Sequence, residues 1–117
     1  MTSIHDVAAC ITGQFVSPIS TMKLHKLVFL VSAWSESLFD APLFDSPVRR
    51  GAHGPQYPEL LDAHGTTHEV DSWHLGDATN LDPEERLIVD SVCRKYGALS
   101  GPDLTHLIGE IEASASN

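Results

Sequence analysis

Three of the chain's seven histidines, His64, His68 and His74, fall in one short stretch with Asp62, Glu69 and Asp71. A His-x-x-x-His pair on a helix puts both imidazoles on one face, as a zinc site needs, and a third ligand would complete a hydrolytic centre. Gly65 lies between the first two and is expected to break the helix. The set therefore reads first as histidines on a polar loop, and a small metal-dependent hydrolase using His64, His68 and His74 is the alternative. Nucleophilic chemistry has less support. Cys10 and Cys93 both fall within apolar helical stripes, where a thiol behaves as a small hydrophobe. There is no G-x-S-x-G elbow, and the glycines of "GAHGP" have neither P-loop nor dinucleotide spacing. No catalytic residue, cofactor or metal ligand is assigned.

The most unusual stretch is "VRRGAHGPQYPELLDAHG", residues 48 to 65, which holds the only adjacent arginines in an otherwise acidic chain. Pro42, Pro47 and Pro55 keep residues 40–55 from forming a regular helix. Pro58 suits the first turn of a short helix ending at Gly65, where glycine serves as a left-handed cap. Residues 66 to 80 alternate weakly around Val70, Trp73 and Leu75 and read equally as a short strand or a loop.

The flanking segments are helical. Ser3-x-x-Asp6 reads as a capping box before Ile4, Val7, Ala8 and Ile11, giving a helix to about Gln14. Ser20 or Thr21 caps the strongest element, "TMKLHKLVFLVSAWSESLF". Its stripe is Leu24, Leu27, Val28, Val31, Trp34 and Leu38, widened by Phe29, Leu30 and Ala33. At about 30 Å it would span the whole domain and act as its scaffold. Asp82-Pro83-Glu84-Glu85 starts a helix that carries Leu87, Ile88, Val92 and Tyr96 inward and stops at Gly97, with Arg94 and Lys95 complementing its dipole. Ser100-x-x-Asp103 opens a last helix with Leu104, Leu107, Ile108 and Ile111 inward, and residues 113–117 read as a frayed tail. The expected fold class is all-α, a compact bundle of five to six helices around a long central helix with a short β-hairpin, in one domain over 1–117 with its core at about 4–112.

With 117 residues, 42% apolar and 20% charged, the composition is that of one ordinary globular domain. Two isolated cysteines suit a reducing compartment, no signal peptide is recognisable, and the longest apolar run falls short of the roughly 20 residues that span a bilayer. A soluble, cytoplasmic protein is expected. The net charge of −9 repels nucleic-acid backbones and attracts cationic partners. Lys23/Lys26, Arg49/Arg50 and Arg94/Lys95 form only small basic groups, so neither a nucleic-acid nor a membrane partner is expected.

Several blocks resemble one family. "TMKLHKLVFLVSAW" (21–34), "APLFDSPV" (41–48), "HGPQYPELLDAHG" (53–65) and "LDPEERLIVDSVCRKYGALSGPDLTHL" (81–107) are similar to the Panacea, or SocA-like antitoxin, domain. That family's pattern is a M-K-L-Q-K-L helix, a P-L-F turn, a Y-G-P-x-x-P-x-L segment and a Y-G-x-L-S turn. Lys23, Leu24, Leu27, Gly54, Pro55 and Pro58 carry the motif here. His25 stands for the usual Gln, Phe29 for Tyr, His53 for Tyr and Gly51 for Trp.

The resemblance implies a non-enzymatic antitoxin that neutralises a co-encoded protein toxin by direct binding, without a cofactor. Partner toxins of such domains include toxic small alarmone synthetases and other translation inhibitors, and one member delivers its toxin to a protease. On this reading the glycines and prolines shape a rigid edge that presents Arg49, Arg50, His53, Gln56 and Tyr57 at low entropic cost. With Trp73 and His74 these form the expected toxin-facing surface. Trp73 is also read as packing against the long helix.

Overall fold

The computed structural model describes residues 2–51 and 54–115. The first helix, α1 (Ile4–Thr12), begins where extended Ser3 accepts the amide of His5 on its hydroxyl, and it ends at Thr12, two residues short of Gln14, with Gly13 as its cap. Asp6 does not act in the expected capping box. Its carboxylate instead accepts the amide of Asp77 at 2.9 Å and the side chain of Asn80 at 3.4 Å, tying down a distant loop.

A two-residue strand, β1 (Ile19–Ser20), leads into α2 (Thr21–Phe39), whose N-cap Ser20 accepts the Lys23 amide at 3.0 Å. Leu24, Leu27, Val28, Leu30 and Val31 are fully buried. The stripe does not continue to Leu38, which is 62% exposed, and Trp34 is only half-buried. The helix outruns its cover: residues 36–40 are all exposed, and the chain reverses where Ser35 donates to the Ala41 carbonyl at 2.7 Å.

The middle of the chain forms the expected hairpin, β2 (Arg49–Gly51) and β3 (Gly54–Gln56), followed by α3 (Pro58–His64) with Pro58 in its first turn. Gly65 ends α3 with φ 55, but ψ −121 takes it out of the left-handed helical cap that was expected. In the ambiguous 66–80 segment, β4 (Glu69–Val70) pairs antiparallel with β1, Ile19 opposite Val70, and a 3₁₀ turn covers Ala78–Asn80.

Helix α4 (Pro83–Tyr96) opens with the Glu85 carboxylate accepting the Asp82 amide at 2.8 Å, as its capping signal requires. Ile88, Val89, Val92 and Tyr96 face inward, whereas Leu87, expected inside, is 61% exposed. It sits one residue off the i, i+4, i+8 line of Ile88, Val92 and Tyr96, and a helix turns that position away from the core. Helix α5 (Gly101–Ala115) buries Leu104 and Ile108 and leaves Leu107 and Ile111 half-buried. The tail expected to fray from 113 is still helical through Ala115.

The described residues are thus mostly helical, with two short antiparallel ribbons. Helix α2 packs against α1, α4, α5 and the hairpin. Lys23 joins α2 to α4 by donating to the carbonyl of Gly97, and Trp34 meets Tyr96 edge to face at 6.0 Å. Among the described residues no helix is long and apolar enough to cross a membrane.

The 66–80 segment is held to α1 at Gly76. A Cβ there would lie 2.0 Å from the carbonyl oxygen of His5, so backbone rather than a movable side chain forbids it. Gly76→Ala should cost about 2–3 kcal/mol, lowering Tm by about 8–12 °C. Gly109→Ala, which meets nothing within 4 Å on α5, should instead stabilise by up to about 1 kcal/mol. Thermal melts of both variants test the contrast, and equal effects would refute the docking.

Candidate functional site

The hairpin pairs Arg49 with Gln56, Arg50 with Pro55 and Gly51 with Gly54. Gly54 has φ +110, where an L side chain is strained, and a Cβ there would meet Cε of Lys26 at 3.5 Å. The backbone turn is thus what calls for glycine, since the contact with Lys26 is an ordinary one, and Pro55 beside it is buried. Arg49 and Arg50 are exposed and Gln56 is half-buried. Arg50 is oriented from two sides: it pairs with the Glu112 carboxylate of α5, and its guanidinium lies 5.7 Å from the Phe29 ring centroid. His53, expected on this edge, lies outside the described residues.

Beside the hairpin, a groove of about 300 Å³ runs between α2 and the 42–48 connection. Phe29, Ala33, Phe44 and Val48 form its apolar walls, with carboxylates from Glu36 and Asp45 among its lining residues. Val48 is 43% exposed.

Two residues expected on the toxin-facing surface are inside. Tyr57 is 3% exposed, packed edge to face on Phe44 at 5.7 Å and stacked on His25 at 6.3 Å. Burial pushes its hydroxyl pKa up. Trp73 is 8% exposed; its indole N–H donates to Nδ1 of His5 at 3.1 Å, and its ring meets His64. The second reading of Trp73, packing, is the one seen, but its partners are histidines of α1 and α3. His74 is exposed, with Nε2 3.3 Å from the Ser72 hydroxyl. Of the expected surface, Arg49, Arg50 and His74 are therefore exposed and Gln56 is half-buried.

His25 was noted only as a departure from the family pattern, yet it organises this region. It is fully buried, and its Nδ1 accepts the Tyr57 amide at 3.0 Å. A neutral imidazole accepting there carries its proton on Nε2. That nitrogen lies 3.0 Å from Nε2 of His64, so His25 donates and His64 accepts. The His64 proton then resides on Nδ1, 3.1 Å from the Gly65 carbonyl, which accepts it. One side chain of α2 thus binds the first and last turns of α3.

The chain of bonds also bears on the metal alternative. The lone pair that His64 would offer from Nε2 is taken by the His25 proton. Among the described residues, no three or more His, Cys, Asp and Glu side chains gather as a metal site would require, so His64, His68 and His74 do not form the centre considered for them. The thiols are poor nucleophiles: burial raises the Cys10 pKa, and burial, with Cys10 and Asp90 nearby, pushes Cys93 up to about 12.

The chain matches no known protein-family model, no curated protein and no solved structure.

Burial, then the proximity of His64 and Lys26, lowers the His25 pKa from 6.5 to about 4. Between these values the unfolded chain takes up a proton that the folded protein refuses. The stabilisation is complete above about pH 6.5 and is lost as pH falls through the window, about 3 kcal/mol in all. His25→Gln supplies an amide oxygen and an amide N–H for the same two bonds without titrating. Urea unfolding across this range should show a shallower loss of stability in the variant, and an unchanged slope would rule out His25 as the source.

Proposed function

We propose that the chain is a SocA-like antitoxin, a cytoplasmic, non-enzymatic all-α bundle organised around α2 that neutralises a co-encoded protein toxin by binding it. The observation that carries this reading is the edge formed by the hairpin and the adjacent groove. Arginine held over an aromatic ring beside an apolar groove with Val48 exposed at its wall is the composition of a protein-binding hot spot. Because the β2–β3 ribbon and the Glu112 and Phe29 contacts hold Arg50 in place, less side-chain freedom is lost on binding. Glu36 and Asp45, within a net charge of −9, favour a toxin with a basic, partly apolar contact surface.

The buried Tyr57 and Trp73 support this edge from below and are not contacts in the proposal. Truncating Tyr57 would cost about 3–5 kcal/mol and unfold rather than unbind, so a test of the surface leaves it in place.

Val48→Asp combined with Arg49→Glu changes two exposed residues and should leave Tm within about 2 °C of the parent. Co-expressed with the product of the neighbouring reading frame, the parent should restore growth and the double variant should not. Full protection by the folded variant would exclude this edge, and a neighbour that is harmless alone would exclude the antitoxin reading. Toxin abundance in protease-deficient cells separates sequestration, which leaves it unchanged, from delivery to a protease, which raises it.

A further inference from the structure

Three of the seven histidines lie on the seams that join α3 and the turn around Trp73 to α1 and α2, and each accepts a hydrogen bond there. Fixed donors set two of them. The indole N–H of Trp73 donates to Nδ1 of His5, and the amide of Tyr57 donates to Nδ1 of His25. His64 accepts the Nε2 proton of His25 and carries its own on Nδ1, toward the Gly65 carbonyl. All three rings are therefore neutral, and in each the bare nitrogen holds a seam.

This arrangement has no place for a further proton. On Nδ1 of His5 it would face the Trp73 N–H, and on Nδ1 of His25 the Tyr57 N–H. On Nε2 of His64 it would face the His25 N–H across 3.0 Å. If His25 then moved its own proton to Nδ1, the conflict would pass to the Tyr57 amide. Whichever ring is protonated, two donors meet and one seam bond is lost.

The surroundings do not offset an added positive charge. Burial, then His64 and Lys26, hold the His25 pKa down to about 4. His74 lines the same cavity as His64 and Trp73, and Tyr57 is uncharged, its pKa raised by burial. Of the acids on these elements, Asp6 is bound to Asp77 and Asn80, while Glu59, Asp62 and Asp71 are exposed. Among the described residues no carboxylate bonds any of the three rings. Carboxylate acceptors, such as Asp6 at the neighbouring contact, would keep a seam closed in mild acid, because they ionise near pH 4. Imidazole acceptors do not.

We infer that α3 and the turn around Trp73 form a proton-released flap, latched to α1 and α2 by neutral histidines and detached in mild acid while α4 stays packed. A seven-residue helix detached from these bonds has little to keep it folded. Tyr57 packs on Phe44 behind the proposed contact edge, so release would also loosen that edge. That consequence rests on the binding reading, whereas the release itself does not.

Amide hydrogen exchange followed by NMR between about pH 7.5 and about pH 5 tests the latch, read as protection factors so that the intrinsic pH dependence of exchange cancels. The Tyr57 and Leu61 amides, bonded to His25 and to the Tyr57 carbonyl, should be less protected throughout than those of Val89 and Val92 in α4. They should lose at least about thirtyfold of their protection, the linkage for one histidine between its ordinary value of 6.5 and about pH 5. Nitrogen-15 shifts of the rings should place the proton on Nε2 of His5 and His25 and on Nδ1 of His64 near neutral pH. His25→Gln combined with His64→Gln keeps a donor and an acceptor at the α3 seam without a titrating ring, and should cut the loss to about threefold or less. Exchange of the α3 and α4 amides with one common protection, α3 protection unchanged by acid, or a doubly protonated His25 or His64 beside fully protected Tyr57 and Leu61 amides would overturn the inference. These readings on the parent protein decide it if the double variant does not fold.

Discussion

A single buried imidazole holds the middle of this molecule together. His25 lies on the apolar face of α2, where an unsatisfied polar group would be strongly unfavourable, and both its nitrogens are used. One accepts from the backbone where α3 begins, and the other donates to the side chain where α3 ends. A seven-residue helix has little stability of its own, so these two bonds, with Leu60 in the core, determine where α3 lies. The position of α3 in turn sets that of Tyr57, and Tyr57 and Phe44 together back the groove beside the hairpin.

The arrangement separates rigid support from exposed contact. His5, His64 and Trp73 form a contiguous aromatic layer that fastens the 66–80 connection to α1 and α3. Asp6 and Gly76 complete that attachment through backbone and carboxylate contacts. Arg49 and Arg50 stand outside, on a ribbon whose geometry is set by a glycine at φ +110 and a buried proline. The aromatics Tyr57 and Trp73 are the supports, and the arginines are what the supports hold out.

Much of this could be read directly because local signals acted alone. The α4 start, the Pro58 turn and the Ser20 cap are short-range hydrogen-bond and dihedral effects, and all appear where their residues specify. Local spacing misleads where a residue has a competing long-range partner or no element to cover it. Asp6 satisfies Asp77 rather than its own helix, and Leu38 has the right spacing but no element over it. Tyr57 and Trp73, being amphipathic, suit an exposed anchor or a buried hydrogen-bonding ring equally, and only tertiary packing decides. His25 and Lys26 carried a usable signal: two polar residues in succession inside the apolar run of α2 mark sites where the core must supply something other than hydrocarbon.

The β1–β4 ribbon is only two residue pairs long, yet Thr21 adds bonds from its amide and hydroxyl to the carbonyls of Thr67 and His68, 46 and 47 positions away. Helix α2, the hairpin and α3 thus form a closed ring of chain tied at its base. A largely helical protein would ordinarily assemble quickly from neighbours in sequence, but this ring cannot shut until distant segments meet. The conformational search for that meeting sets a kinetic barrier that helix formation alone would not impose.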